Sequence, residues 1–129
     1  TMIEQITKGI KISIETEFEG TFYKDDCIHY AFSYEVVIEN QSPEVAQLIA
    51  RKWNIMEALN QNEIVIGEGV VGEKPVLIPG ERHTYTSGCV LKSPFGAMKG
   101  SYLMVNLSNS KQFKVTIPTF KLSASFAQN

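Results

Sequence analysis

The stretch that decides the predicted fold is Ile66–Met104, which reads IGEGVVGEKPVLIPGERHTYTSGCVLKSPFGAMKGSYLM. It holds seven of the nine glycines and three of the five prolines of the chain. Glycine permits a positive φ, and proline fixes φ while removing a backbone donor. So many residues of both kinds indicate shaped turns between short strands, and we expect no helix here.

Residues 67–72 read GEGVVG, which is the glycine spacing of a dinucleotide-binding loop. In such a loop the glycines follow a strand and open a helix whose N-terminus binds the pyrophosphate. Here Val70 and Val71 are β-branched, and Pro75 and Pro79 would interrupt a helix. We therefore predict a glycine-rich bend between strands. The alternative is a phosphate-binding concavity of backbone N–H groups without a helix. The residues of that alternative site are Gly67, Gly69, Gly72, Lys74 and Arg82.

Alternating apolar and polar residues predict half-buried strands in the first third of the chain. Residues 10–14 alternate in this way, and residues 28–38 keep one apolar face for eleven residues. Residues 20–26 are polar and indicate a turn, and Asn40–Pro43 has the residue types that end a strand. We expect a long strand on the core at residues 28–38.

Residues 45–56 are ambiguous between helix and strand. Ala46, Ile49, Ala50 and Trp53 fall at helical spacing, yet the odd-numbered residues from 45 to 55 also alternate with their neighbours. Propensity alone favours the helix.

The rest of the chain predicts short strands joined by turns. Strands are expected at residues 63–66, 82–91, 100–107 and 113–122, with a hairpin loop at Leu59–Asn62, a type II turn at Pro79-Gly80, and turns at 93–97 and 108–111. Pro118 indicates an edge strand or a bulge. About seven or more antiparallel strands without a confident helix predict an all-β sandwich, although the Cys…Trp…Cys spacing of a true immunoglobulin domain is absent. The length predicts one domain at residues 2–125, with a C-terminal tail at 126–129.

Several long motifs resemble the ApaG family. They are GEGVVGEKPVLIPGE at 67–81, YTSGC at 85–89, PFGAMKGSYLM at 94–104, YAFSYEVVIEN at 30–40, QLIARKWNI at 47–55 and IPTFKL at 117–122. The resemblance implies a fibronectin type III-like β-sandwich in which residues 45–56 form a strand. Family members usually have a short D-x-x-G-type turn after the Trp strand, and this chain departs from that turn at residues 57–62.

The resemblance also implies a function class. ApaG-like domains occur fused to F-box and polymerase-interacting proteins, which implies a non-enzymatic module that binds a protein partner. The family's genetic context implies an association with cobalt and magnesium tolerance and with diadenosine tetraphosphate metabolism. The alternative function is a nucleotide, pyrophosphate or polyphosphate binder that uses the Gly67–Gly72 loop. A homodimer through strand edges is a further expectation.

Charge and cysteine content restrict the expected partners and the expected cellular compartment. A net charge of −2 does not indicate a general polyanion binder, so no nucleic-acid partner is expected. No apolar run approaches the roughly 18 residues that span a bilayer, so no membrane is expected. Cys27 and Cys89 are isolated and no secretory signal pattern is recognised, which predicts reduced thiols in the cytoplasm. Residues 1–39 are acidic and the chain from Arg82 onward lacks Asp and Glu; we expect these strands to pair and give a mixed surface.

The residues that could carry chemistry are few. Cys27, His29, His83 and Cys89 would make a tetrahedral zinc site only if they converged, and their spacing does not predict it. We therefore expect no metal and no cofactor. No nucleophile–base pair can be named, so no enzyme is expected.

Two groups of apolar side chains could serve binding or packing. Arg51-Lys52-Trp53 could stack a nucleotide, but Trp53 is better explained as the plug between two sheets. Phe95 and Met98 flank glycines and, if exposed, would form an apolar tip for a protein partner.

Overall fold

The computed structural model describes residues 2–58 and 62–124, which form nine strands and no helix. The strands are β1 (Met2–Thr7), β2 (Ile10–Lys24), β3 (Cys27–Asn40), β4 (Ala46–Glu57), β5 (Glu63–Glu68), β6 (Val76–Leu77), β7 (Arg82–Leu91), β8 (Phe95–Asn106) and β9 (Lys111–Ser123). They build two antiparallel sheets that enclose one core. The predicted all-β sandwich is therefore confirmed.

The connectivity of the sheets sets which strands lie at their edges. The first sheet has the order β1-β2-β3-β7, and the second has the order β5-β4-β8-β9. The short strand β6 also pairs with β4, where Leu77 lies opposite Ala46. The edge strands are thus β1 and β7 in the first sheet, and β5 and β9 in the second.

Trp53 occupies the centre of the core. It is 3% exposed, and its ring centroid lies 5.4 Å from that of Tyr34 and 5.8 Å from that of Phe120. The first ring belongs to the first sheet and the second to the opposite sheet. These contacts confirm the prediction that Trp53 fills the space between the sheets. Burial of so large a ring stabilises the sandwich strongly.

Segment β4 is a strand, as the family resemblance implied, and it contains a β-bulge. Leu48 and Ala50 pair with consecutive residues of β8, so Ile49 is an extra residue in the strand. Before the bulge the even-numbered Leu48 faces the core, and after it the odd-numbered Trp53 does. The alternation predicted across residues 45–55 therefore holds only beyond the bulge.

Two further strands behave as predicted. β3 buries Phe32, Tyr34, Val36 and Ile38 on its inner face, as the alternation indicated. Pro118 lies in edge strand β9 at an irregularity in the pairing with β8, which satisfies both parts of the prediction.

Two predicted turns are wrong in extent. β2 runs through Lys24, so the turn expected at residues 20–26 contains only Asp25 and Asp26. A register shift after Phe18 accommodates Gly20 within the strand. The segment Met2–Thr7 forms an edge strand that no sequence pattern had indicated.

The turn expected at residues 93–97 is limited to residues 92–94, because β8 begins at Phe95. Met98 is consequently a core residue with 1% exposure, whereas Phe95 is 51% exposed. The apolar tip predicted from this pair therefore does not form as expected.

Some predictions fall on residues that are not described. The Leu59–Asn62 loop lies outside the described residues except for Asn62, and so do residue 125 and the expected tail at 126–129. Within the described ranges, no helix is long and apolar enough to cross a membrane.

Candidate functional site

The Gly67–Gly72 loop is a tight hairpin turn. Val70 and Glu73 exchange two backbone hydrogen bonds of 2.8 and 3.0 Å. Between them, Val71 and Gly72 have φ angles of 47° and 77°. Two successive positive φ angles are the property of a type I′ turn, which suits the twist of a hairpin. No helix follows, so the loop lacks the context that dinucleotide binding requires.

Gly69 is needed for the geometry of this turn. Its φ is 62°, and its N–H donates to the carbonyl of Ile49, the bulge residue of β4, at 2.8 Å. A methyl group at this position would overlap the carbonyl oxygen of Glu73. The loop is therefore anchored to β4 through a position where only glycine fits without distortion.

Arg51 holds the same loop from the other side. Its Nη1 donates to the carbonyl oxygen of Glu68 at 2.8 Å and to that of Gly69 at 2.9 Å. The guanidinium passes over Gly67, its cross-strand partner on β5. The sequence grouped Arg51 with a possible nucleotide-stacking cluster, but in the structure its hydrogen bonds serve the loop.

Lys74 and Arg82, two residues of the alternative phosphate site, line one open depression of about 500 Å³. Nζ of Lys74 lies 3.4 Å from the carboxylate of Glu68, and Nη2 of Arg82 lies 3.2 Å from that of Glu39. The N–H groups of Gly69 and Val70 in the glycine loop, and that of Glu73 after it, already donate to backbone carbonyls. A phosphate bound here would have to replace these partners, and the depression is not lined by the glycines.

The four candidate metal ligands are spread along the first sheet. Cys27 and His29 lie next to the β2–β3 turn, with ring nitrogens 3.8 and 3.9 Å from Sγ. His83 pairs with Ile38 near the other end of β3, and Cys89 lies between these sites. No three His, Cys, Asp or Glu residues in the described part of the chain gather closely enough to hold a metal ion.

Burial suppresses the chemistry of the inward-facing polar groups. It raises the pKa of the Cys89 thiol to about 11, so this thiol is protonated at neutral pH and is a poor nucleophile. The hydroxyl groups of Tyr85 and Tyr102 hydrogen-bond to each other in the core, and burial raises the pKa of both. At neutral pH these three groups are therefore protonated and uncharged.

β7 is an open edge of the first sheet. It pairs with β3 along its whole length, and no described backbone group pairs with its other side. The exposed, outward-facing residues of its interior are Thr84, Thr86, Gly88 and Val90. Edge strands usually carry lysine, proline or a bulge that discourages pairing, and β7 carries none of these. Sequence patterns could not identify this edge, because it depends on the order of the strands.

Charges are segregated between the two outer faces. The first sheet presents a groove of about 610 Å³ lined by Glu15, Glu17, Glu19 and Glu35. The second sheet presents a groove of about 380 Å³ lined by Lys52, Lys99 and Lys114. The expected pairing occurs only for β7, whose Arg82 contacts Glu39 of β3. Acidic β1–β3 and basic β8–β9 belong to different sheets, so most of the expected mixed surface does not form.

Known proteins are similar to this chain in both sequence and fold. The sequence profile of the ApaG domain matches residues 21–106. Protein ApaG of Acidithiobacillus ferrooxidans is 41% identical over 123 residues, which are 95% of this chain and 96% of that protein. Protein ApaG of Beijerinckia indica is 42% identical over 127 residues, or 98% and 97% of the two chains. An X-ray structure of a Northeast Structural Genomics Consortium target superposes with a TM-score of 0.85 at 37% identity, covering 90% of this chain and 87% of that one.

Proposed function

Because this chain belongs to the ApaG family, we propose that it is a non-enzymatic binding module that docks a protein partner by adding a partner strand to β7. The observation that carries the proposal is the open edge of β7, ten residues long. Strand addition uses the backbone donors and acceptors of such an edge, and side-chain pockets add specificity.

The other long edge offers a contrast. β9 carries Lys111, Lys114 and Lys121, and Pro118 sits at its bulge. These are the devices that keep an edge from pairing, and they leave β7 as the edge suited to a partner. Each added backbone hydrogen bond contributes about 0.5–1.5 kcal/mol net, so several of them give a useful affinity.

The proposal also gives the cobalt and magnesium association a physical route. The described His, Cys, Asp and Glu residues form no metal cluster, so metal tolerance acts in this proposal through the bound partner. It places the module in the cytoplasm, where its two unpaired cysteines remain reduced.

Nucleotide or pyrophosphate binding is the competing function. The observation in its favour is that Lys74 and Arg82 line one depression. Against it, both cations already face carboxylates. A thermal titration with pyrophosphate distinguishes the two functions, since a saturable rise in melting temperature that the double variant Lys74→Ala, Arg82→Ala abolishes would support the competitor.

The test of the proposed function compares partner capture by the wild type, Thr86→Lys and Thr119→Lys. Thr86 lies in β7, whereas Thr119 is an exposed threonine of β9, the edge that already bears lysines. Immobilised protein is incubated with an extract of the source cells, and bound proteins are quantified by mass spectrometry. We expect a partner that the wild type and Thr119→Lys retain and Thr86→Lys loses.

Hydrogen exchange then locates the contact. Amides of β7 should exchange more slowly in the complex with the purified partner, because new inter-strand hydrogen bonds protect them. Unchanged exchange in β7 would show that the partner binds elsewhere. Capture of no specific partner by the wild type would also count against the module.

A further inference from the structure

The outer face of the second sheet gathers three lysines around one serine. Ser101 of β8 pairs with Lys52 on β4 and with Thr116 on β9, and Lys99 precedes it by two residues on the same face. Lys114 lies diagonally across on β9, opposite Leu103. Since neighbouring strands are about 4.8 Å apart, the three ammonium groups can reach one ligand. We refer to Lys52, Lys99 and Lys114 as the lysine face.

The lysine face lacks compensating carboxylates. None of its three lysines forms an ion pair with a described residue. The only described carboxylate at an outward position of β4, β5, β8 or β9 is that of Glu68, at the end of β5 and 3.4 Å from Lys74. The whole chain has a net charge of −2, so this positive face is a local feature.

Apolar surface adjoins the same lysines. A trough of about 230 Å³ is lined by Ala50, Ile66 and Leu103 together with Lys52 and Lys114. Ile66 is 72% exposed, and Ile64, two residues earlier on the same strand face, is 59% exposed. A bound group that satisfied only the charges would leave this aliphatic surface in water.

A polar atom without a partner lies on the other side of the lysines. The groove of about 380 Å³ is lined by Lys52, Lys99, Lys114 and Asn54. Oδ1 of Asn54 is buried and accepts no hydrogen bond from any described residue. A buried acceptor of this kind is normally satisfied, so the polar floor of the groove beside the lysines has unused hydrogen-bonding capacity.

We propose that the lysine face and its aliphatic trough form a second docking surface, which binds an extended acidic segment of a partner protein bearing both carboxylate and aliphatic side chains. The carboxylates lie on the lysines, and an aliphatic side chain enters the trough beside Ile66 and Leu103. The surface lies on the opposite sheet from β7, so this proposal does not depend on strand addition there.

Other occupants fit the surface less well. Arg51, the one arginine lining either cavity, already donates to the carbonyl oxygens of Glu68 and Gly69. Tyr102, the one aromatic residue lining either cavity, is fully buried and offers no stacking surface for a base. A second copy of the chain could offer its acidic groove. That groove is otherwise lined by Thr16, Ser33 and Thr86, which do not match an aliphatic trough.

The probe is a fluorescent nine-residue peptide that alternates glutamate and valine, and its binding is measured by anisotropy. Two control peptides replace every glutamate with glutamine or every valine with serine. The protein variants are the triple Lys52→Gln, Lys99→Gln, Lys114→Gln, the single Leu103→Ser, and the matched control Lys24→Gln on the other sheet. All four of these lysines are exposed, so their exchange should leave the melting temperature unchanged.

We expect saturable binding of the glutamate–valine peptide that weakens at least about tenfold in the triple lysine variant and in 0.5 M salt. Leu103→Ser and the serine peptide should each weaken it about threefold or more through the lost aliphatic contact. Lys24→Gln should bind like the wild type.

Other outcomes would overturn the proposal. Equal binding by the triple variant would remove the lysine face as the site, and absence of binding by the wild type would remove the acidic segment as the ligand. Tighter binding of a single-stranded oligonucleotide would assign the face to nucleic acid. Self-association in sedimentation that the triple variant abolishes would assign it to a second copy of this chain.

Discussion

The guanidinium of Arg51 fills the space that a side chain at residue 67 would need. These two residues are cross-strand partners on β4 and β5, and a methyl group added to Gly67 would lie 2.7 Å from Nη2 of Arg51. The absence of a side chain at Gly67 therefore makes room for the guanidinium of Arg51, which donates to the carbonyl oxygens of Glu68 and Gly69. The glycine at the start of the loop is explained by this contact.

Replacing Arg51 should loosen the glycine loop. Arg51→Ala removes both hydrogen bonds to the loop, and we expect a loss of about 1–3 kcal/mol in the free energy of unfolding, measured in urea. Lys52→Ala is the matched control, because the neighbouring side chain points outward, and its effect should stay within about 0.5 kcal/mol. Equal losses for the two variants would contradict the role given to Arg51.

The same pair should be energetically coupled. Gly67→Ala forces the guanidinium to move, so it should destabilise the protein, but it should cost much less when Arg51 is already alanine. A double-mutant cycle should give a coupling energy of about 1 kcal/mol or more. If the free-energy losses of the two single variants simply added in the double variant, the arginine would have to move aside without losing its hydrogen bonds.

The loop glycines should differ in tolerance. Gly72→Ala introduces a Cβ at φ 77° in open space, which should cost about 1–2 kcal/mol. Gly69→Ala adds a collision with the carbonyl of Glu73 to a similar strain, and we expect a loss above about 3 kcal/mol. Thermal and urea unfolding measure both variants, and a milder effect at Gly69 would contradict the geometry of the turn.

Val71 should be replaceable with a gain in stability. A β-branched residue at φ 47° is strained, and this side chain is 64% exposed, so it adds little to the core. Val71→Asn creates the Asn-Gly pair that type I′ turns favour, and the free energy of unfolding should rise by about 1 kcal/mol. Val71→Thr keeps the branch and should bring no such gain.

Stability should fall at alkaline pH through Cys89. Its pKa is raised to about 11 in the folded protein, whereas an unfolded thiol titrates near pH 8.5. The folded state therefore retains a proton that the unfolded state loses. The stabilisation is complete below about pH 8.5 and is lost as pH rises towards 11.

Cys89→Ala should make the decline between pH 8.5 and 11 shallower by about 1–2 kcal/mol, in urea titrations at fixed pH. Cys27→Ala, which removes the other thiol, measures how much of the decline belongs to position 89. A Cys89→Ala profile parallel to the wild type would contradict the assignment.

Alternation predicted β3 well because no residue interrupts its inner face from Phe32 to Ile38. Alternation failed in β4 because the extra residue Ile49 changes the core-facing residues from even-numbered to odd-numbered ones. The resulting pattern of apolar residues resembles both helical and strand spacing. The cluster Arg51-Lys52-Trp53 was also divided by the strand, which directs Arg51 and Trp53 inward and Lys52 outward.

Glycine was the least reliable signal for turns. Gly96, two residues after Pro94, indicated a turn, yet it lies within β8, where a Cβ would come 2.6 Å from the carbonyl oxygen of Met56. Composition does not distinguish a glycine that permits a turn from one that permits close approach. The open edge of β7 and the lysine face could not be predicted from the sequence for a different reason, because both depend on which strands are neighbours in the sheets.

The bulge at Ile49 has a consequence for chain length. Deleting this one residue would leave Leu48, Ala50 and Arg51 in strict alternation, so every core-facing residue of β4 would keep its direction. The deletion would, however, remove the carbonyl oxygen that receives the Gly69 N–H. Gaps in an alignment at this position should therefore occur in chains that have also changed the glycine loop, because the extra residue serves the loop and not the core.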